Sequence, residues 1–217
     1  MARLSFFNSL ISWLTRRTAP VPDTSSPAAS PGPIGAATSR PQMPAADADT
    51  NIAWGARVSA PFKHKAITIS RRLDMDPNHL MAIMAFETGR TFDPGITNQA
   101  GSGATGLIQF MPATAKGLGT TTARLAMMSA IDQLDYVERY LTPYAGRMGD
   151  LASAYMAVLY PRAVDKDTSY VLFRKGSTAY KLNRGLDVNR NGQVTKADAA
   201  EKVLALLTEG LRPGLIG

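Results

Sequence analysis

The sequence predicts an all-α protein with at most a minor β element, set behind a long leader. Three observations carry that expectation. From residue 52 onward, apolar residues recur at helical spacing almost throughout. No run alternates with the period of two that a half-buried strand requires. Two prolines, Pro77 and Pro112, fall where helical patterns open rather than inside them.

The elements follow in order. In residues 3–15, Leu4, Phe6, Phe7, Leu10, Ile11, Trp13 and Leu14 fall on one side of a helical wheel. Ser5, Asn8, Ser9, Ser12 and Thr15 fall on the other, with Arg3, Arg16 and Arg17 flanking. The segment is too short and Ser-rich to span a bilayer, and it lacks the apolar core and small-residue cleavage site of a secretory signal. Residues 1–17 therefore read as an amphipathic helix for a membrane surface, for a partner protein or its own domain, or as an uncleaved delivery signal. Residues 18–51 are Pro, Ala, Ser and Thr without period, which reads as a disordered linker. Helices are expected over 53–73, 77–88, 112–118, 129–141 and 150–159, with Asp76-Pro77 a strong start signal. No internal repeat is apparent, and the stretch from 166 to 186 is poorly defined. Tyr170, Phe173 and Tyr180 there are open to either cleft or core.

Composition narrows the function. With 217 residues, 45% of them hydrophobic, the chain can bury a real core. It has no cysteine, which excludes disulfides and thiolate metal sites. The net charge of +7 favours an anionic partner. The cations are scattered, however, and no basic patch with interleaved aromatics is present, so nucleic acid is not expected as the partner.

The chemistry concentrates in residues 86–115. Helix 77–88 carries Leu80, Met81, Ile83, Met84 and Phe86, and Glu87 sits at its end. Apolar surroundings and the helix C-terminus both disfavour the carboxylate, which is how a general acid is kept protonated near neutral pH. The helix alone equally accommodates a solvated Glu87 paired with Arg90. Downstream, Phe92-Asp93-Pro94 reads as a turn. The glycines between Ala100 and Gly106 allow close backbone approach, and Gly106-Leu107-Ile108-Gln109 delivers an amide able to donate and accept.

Glu87-Thr88, the turn at Phe92-Asp93-Pro94, Gly106-Leu107-Ile108-Gln109 and Ala154-Tyr155-Met156 together resemble the soluble lytic transglycosylase family, related in fold to goose-type lysozyme. The likeness covers roughly residues 60–165 and has the flavour of phage-encoded members. The family's marks are a Glu-Ser pair, a Gly-Leu-Met-Gln segment and an Ala-Tyr-Asn segment. Thr88 keeps the hydroxyl; Met156 loses an amide. The resemblance implies a lysozyme-like domain over 52–180 that acts on peptidoglycan glycan strands in the bacterial cell wall. Glu87 would be the catalytic acid/base, with Thr88, Ser102, Gln109, Phe110 and Tyr155 toward the substrate.

A glycosidase ordinarily needs two carboxylates, and no second acid stands out. Asp93 suits a turn, and Asp132 and Asp135 lie on a polar helix face. The expectation is therefore a lytic transglycosylase with a single acid, closing a 1,6-anhydro ring. The alternatives are hydrolysis by water, as in a goose-type muramidase, or a non-catalytic wall-binding phage structural protein. Without a cleavable signal, delivery falls to a phage particle, holin-type release or another route.

Residues 181–217 hold a second motif. Asp187, Asn189, Asn191, Gln193 and Asp198 occupy positions 1, 3, 5, 7 and 12 of a twelve-residue calcium loop, with Gly192 at position 6 and an aliphatic Val194 at position 8. The loop resembles an EF-hand or a dockerin loop, and residues 199–208 continue with helical period. Two formal charges imply modest affinity and a structural role for any calcium. A metal-free turn with the same residue preferences is the alternative.

Overall fold

The computed structural model describes residues 51–98 and 101–217. The amphipathic segment and residues 18–50 of the linker lie outside the described residues. Among the described residues no helix is long and apolar enough to cross a membrane.

The architecture is helical, as the periodicity predicts. α1 (Ala60–Arg72) and α2 (Pro77–Glu87) come first, followed by α3 (Pro112–Gly117) and α4 (Thr122–Ala126). α5 (Ala130–Leu141) and α6 (Leu151–Leu159) complete the run, and all but α4, which falls where no helix was expected, overlap their sequence signals. Their N-termini are fixed by side chains that satisfy backbone donors left without helical partners. Asp76 accepts from Asn78, Ser129 from Asp132 and Asp150 from Ser153. The helix expected over 53–73 is broken: Gly55–Arg57 forms one 3₁₀ turn, and α1 starts only at Ala60. Ser59 caps the new start, and Pro61 cannot continue a helix from before it because it lacks an N–H.

α2 is the hub. Leu80 through Ala85 are all buried, so this helix is enclosed on every side rather than amphipathic. It packs against α1, α6 and the C-terminal helix α8. Phe62 of α1, Trp54 and Phe92 form an aromatic group beside it, with ring centroids 6.1 and 6.3 Å apart.

The minor β element lies where no strand alternation is visible. β1 (Val171–Arg174) pairs antiparallel with β2 (Gln193–Thr195), with an irregularity between Val171 and Phe173. Between them lie α7 (Thr178–Asn183) and a 3₁₀ turn, and after them α8 (Lys196–Gly210). α8 opens on a capping box: Thr195 accepts from the N–H of Asp198, whose carboxylate accepts from Thr195. Residues 181–217 share the core of the domain, since Leu186, Val194, Ala199, Val203 and Leu206 join the same apolar cluster as α2. Phe173 is buried against Tyr160, whereas Tyr170 is partly exposed.

Candidate active site

The carboxyl of Glu87 lies in the interior. Glu87 is 1% exposed, and neither carboxyl oxygen has a hydrogen-bond partner. Burial pushes its pKa well above the usual carboxylate range. A buried acid without a partner is costly to ionise, so it holds its proton where a solvated glutamate would have lost it. The solvated Glu87–Arg90 pair that the helix alone allowed is not formed. Two phenols stand in its field: Tyr155 of α6, fully buried, its pKa raised by burial and then by Glu87, and Tyr140 of α5, raised by burial, then by Tyr144 and by Glu87. Phe86 packs edge-to-face on Tyr155 at 5.6 Å, which fixes the phenol ring beside the end of α2.

The turn after Glu87 is held tightly. Thr88 Oγ1 donates to the Met84 carbonyl at 2.6 Å and accepts from the Phe92 N–H at 3.0 Å. Thr88, expected toward the substrate, is thus buried with its hydroxyl committed to the turn. Asp93 behaves as a turn residue, accepting from the Gly95 N–H at 2.8 Å. Asp135 pairs with Lys65 at 2.7 Å, and Asp132 bonds Ser129 at the start of α5. Each of the three candidate second acids is engaged locally.

The Gly106–Gln109 segment contributes Ile108 and Gln109 to a pocket whose lining does not include Glu87. Gln109 has left-handed backbone, φ 53, uncommon for a residue with a side chain. Its Nε2 donates to the carbonyls of Ile96 (3.2 Å) and Gly106 (3.1 Å), while its buried Oε1 has no partner. Both amide protons point into the protein, so Gln109 offers its pocket an acceptor rather than the two-way contact expected. Ile108, Gln109, Phe110, Met111, Thr114, Tyr140 and Val158 line a small, partly open pocket of about 50 Å³ with no charged side chain on its wall. Phe110 is buried and packs edge-to-face on Tyr140, whose hydroxyl donates to the Ala157 carbonyl at 3.0 Å. Ser102, expected toward the substrate, is not among the residues that line this pocket, and its Oγ accepts from the Ala104 N–H at 3.3 Å.

Sequence reading passed over two residues here. Tyr140 links the pocket to Glu87, and in the sequence it is one tyrosine among several on an amphipathic helix. Gln133 of α5 is fully buried: its Oε1 accepts from the Leu107 N–H at 2.7 Å. Its Nε2 donates to the carbonyls of Pro94 (3.0 Å) and Leu125 (2.8 Å). Gly106 is explained by this contact, not by a ligand. A Cβ there would lie 2.3 Å from Gln133 Oε1, and its φ is +88°. The only available signal was an amide among the inward positions Leu134, Val137 and Leu141.

In the C-terminal loop the Asp and Asn side chains named for a metal are engaged with the loop itself. Asp187 accepts from the N–H groups of Asn191 (3.1 Å) and Gly192 (2.9 Å) and from the Tyr180 hydroxyl (2.6 Å). Asn189 and Asn191 accept from the N–H groups of Asn191 and Gln193. Asp198 accepts from Asn189 Nδ2 at 3.1 Å and from the Thr195 hydroxyl at 2.6 Å. The donor set consists of two carboxylates and neutral amides. Among the described residues no group of three or more His, Cys, Asp or Glu side chains could hold a metal.

Residues 65–158 match the family model of the transglycosylase SLT domain. The matched stretch is less than half of the chain, and it contains Glu87, Gln109, Gln133, Tyr140 and Tyr155. It supports a lytic transglycosylase domain of the lysozyme-like kind, directed at cell-wall peptidoglycan. No curated protein and no solved structure matches the chain.

Proposed function

We propose that this protein is a peptidoglycan lytic transglycosylase in which Glu87 alone serves as acid and then as base. The observation that carries the reading is the carboxyl of Glu87: buried, unpartnered and kept protonated by its surroundings, within a segment matching the transglycosylase SLT domain. In the first step the protonated carboxyl gives its proton to the oxygen linking N-acetylmuramic acid to N-acetylglucosamine. The C–O bond breaks, and the neighbouring acetamido oxygen stabilises the positive charge on the anomeric carbon. In the second step the Glu87 carboxylate takes the proton of the same sugar's 6-hydroxyl, whose oxygen closes a 1,6-anhydro ring. The acid ends protonated, and no water is consumed.

A single acid suffices because the sugar supplies its own nucleophile, and the engagement of Asp93, Asp132 and Asp135 elsewhere favours this over a two-carboxylate hydrolysis. The free acceptor of Gln109 suits a sugar hydroxyl or amide N–H, and the phenol of Tyr155, in the field of Glu87, suits orientation of the carboxylate in the second step. Digestion of purified peptidoglycan, with products identified by mass spectrometry, tests the reading. Anhydro ends support it; reducing ends assign the protein to the muramidases instead. Glu87→Gln, folded but without activity, separates both enzymes from a wall-binding structural protein.

For the loop at 187–198, a structural calcium is the accompanying proposal. Asp187, Asn189, Asn191, Asp198 and the main chain at Gln193 would hold it and staple β2 to the start of α8. The turn built around Asp187 and Gly192 favours it.

A further inference from the structure

Arg90 is the cation closest in sequence to Glu87, across a turn in which Gly89, Arg90 and Phe92 all have left-handed backbone, with φ of 59, 73 and 53. A guanidinium within about 4–6 Å of a carboxyl lowers its pKa by roughly 1–3 units. Were Arg90 to pair with Glu87, the acid would be ionised at neutral pH and could not protonate a leaving group. The guanidinium is turned elsewhere. Its Nε and Nη2 donate to the two carboxylate oxygens of Glu209, at 2.8 and 2.6 Å, across 119 residues of chain. This two-pronged geometry fixes both partners more firmly than a single contact would.

Glu209 stands in the last turn of α8, where the helix dipole disfavours negative charge. The Arg90 guanidinium holds its carboxyl below the usual range, with Arg212 adding to the effect. Two glutamates, Glu87 and Glu209, thus stand at or near the ends of two packed helices, and Arg90, three residues after the first, is bonded to the second. The position of Glu209 is itself braced. α8 packs on both α2 and α6, Trp54 Nε1 donates to the Leu206 carbonyl at 2.9 Å, and Lys196 Nζ donates to Ser153 Oγ of α6 at 2.9 Å. α8 lies outside the stretch that matches the transglycosylase model.

We propose that Glu209 is a positioning residue that keeps the Arg90 guanidinium off the carboxyl of Glu87, so that the C-terminal helix protects the acid's proton. The inference rests on Glu87 being the proton donor. The other groups in the field of Glu87 are the phenols Tyr140 of α5 and Tyr155 of α6. On α1, Lys65 and Arg72 are held by Asp135 and Glu138 of α5. His79 lies on α2 itself, its pKa lowered by burial and raised in part by Asp76 and Asp150. Arg90 is therefore the cation that Glu209 has to control.

The test is the pH dependence of kcat/KM on purified peptidoglycan for the full chain and three variants. Glu209→Gln frees Arg90, and the alkaline limb, which reports loss of the Glu87 proton, should move down by about one pH unit. Where that limb lies below the assay pH, the rate falls roughly tenfold. Arg90→Gln and the double variant Arg90→Gln/Glu209→Gln should keep the wild-type limb, because the cation is gone. A merely structural bridge would make both single variants equally poor and offer no rescue in the double. An unshifted limb in Glu209→Gln, or the same shift in the double variant, overturns the proposal. If Glu209→Gln folds poorly, Arg90→Gln still decides, since a shifted limb there refutes it. Should Glu87→Gln digest the wall as well as wild type, the enzyme reading itself fails; should Glu87→Gln be inactive while all limbs coincide, only this inference falls.

Discussion

Leu107 donates its backbone N–H to the Oε1 of Gln133 at 2.7 Å, a bond across 26 residues that pins the pocket wall to α5. The same amide holds the carbonyls of Pro94 and Leu125, so two loops and α4 meet on one side chain. Gln133→Leu fills the space but strands three buried backbone groups, each costing about 1–3 kcal/mol. The expected loss is roughly 3 kcal/mol or more, read as a lower urea midpoint, with weaker substrate binding where the protein remains folded.

Gly106→Ala acts on the same contact from the other side. The new methyl would lie 2.3 Å from Gln133 Oε1 on a backbone with φ of +88°, so both the packing and the conformation are strained. A fall in Tm comparable to that of Gln133→Leu is expected. The double variant Gly106→Ala/Gln133→Leu should lose much less than the sum, because both changes break one contact. Full additivity in thermal melts would refute the shared cause.

The raised pKa of Glu87 makes stability depend on pH with a defined sign. The folded protein keeps a proton that the unfolded chain releases near the ordinary value of 4.5. The contribution is fully present below that value and is lost as pH rises through the folded pKa. Glu87→Gln removes this liability. Its Tm should exceed that of wild type at pH 8, and the gain should vanish by about pH 4. An equal gain at both pH values would mean that Glu87 is not buried as an acid.

Lys196 is a buried lysine, and its Nζ donates to Ser153 Oγ (2.9 Å), the Val164 carbonyl (2.7 Å) and the Lys166 carbonyl (2.8 Å). Three acceptors satisfy the three protons of the ammonium. Lys196→Met keeps the length and loses the donors, leaving three acceptors without their partner at a cost of about 1–3 kcal/mol for each that stays buried. Because Ser153 lies two residues before Tyr155 on α6, kcat should also fall in the folded fraction; unchanged kcat would confine Lys196 to stability.

Millimolar calcium should raise the Tm of wild type, and Asp187→Asn should abolish that response. A midpoint indifferent to calcium would leave the loop as a hydrogen-bonded turn, with Asp187 acting only on Tyr180, Asn191 and Gly192.

Much of the helical frame was legible because its signals are local. Asp76 and Pro77 mark the start of α2 by one cap and one missing N–H, whereas α8 starts three residues before the expected 199, on a capping box of Thr195 and Asp198. Five-residue α4 and six-residue α7 are too short to display a period. β1 and β2 pair across some twenty intervening residues, and no alternation within either strand announces the other. Glu87 could be singled out by its apolar neighbours. Tyr140, Gln133 and Glu209 could not, because each matters through a partner distant in the chain.

The sequence by itself determined where the helices begin and which carboxyl sits among apolar side chains. It also set a calcium-type spacing at 187–198, since capping, periodicity and spacing act within a few residues. Tertiary structure decided which groups Glu87 meets and which it is denied. Burial, the phenols of Tyr140 and Tyr155, and the capture of Arg90 by Glu209 come from helices packed across the chain. An acid's proton affinity depends on everything within several ångströms of it, and only folding fixes that neighbourhood.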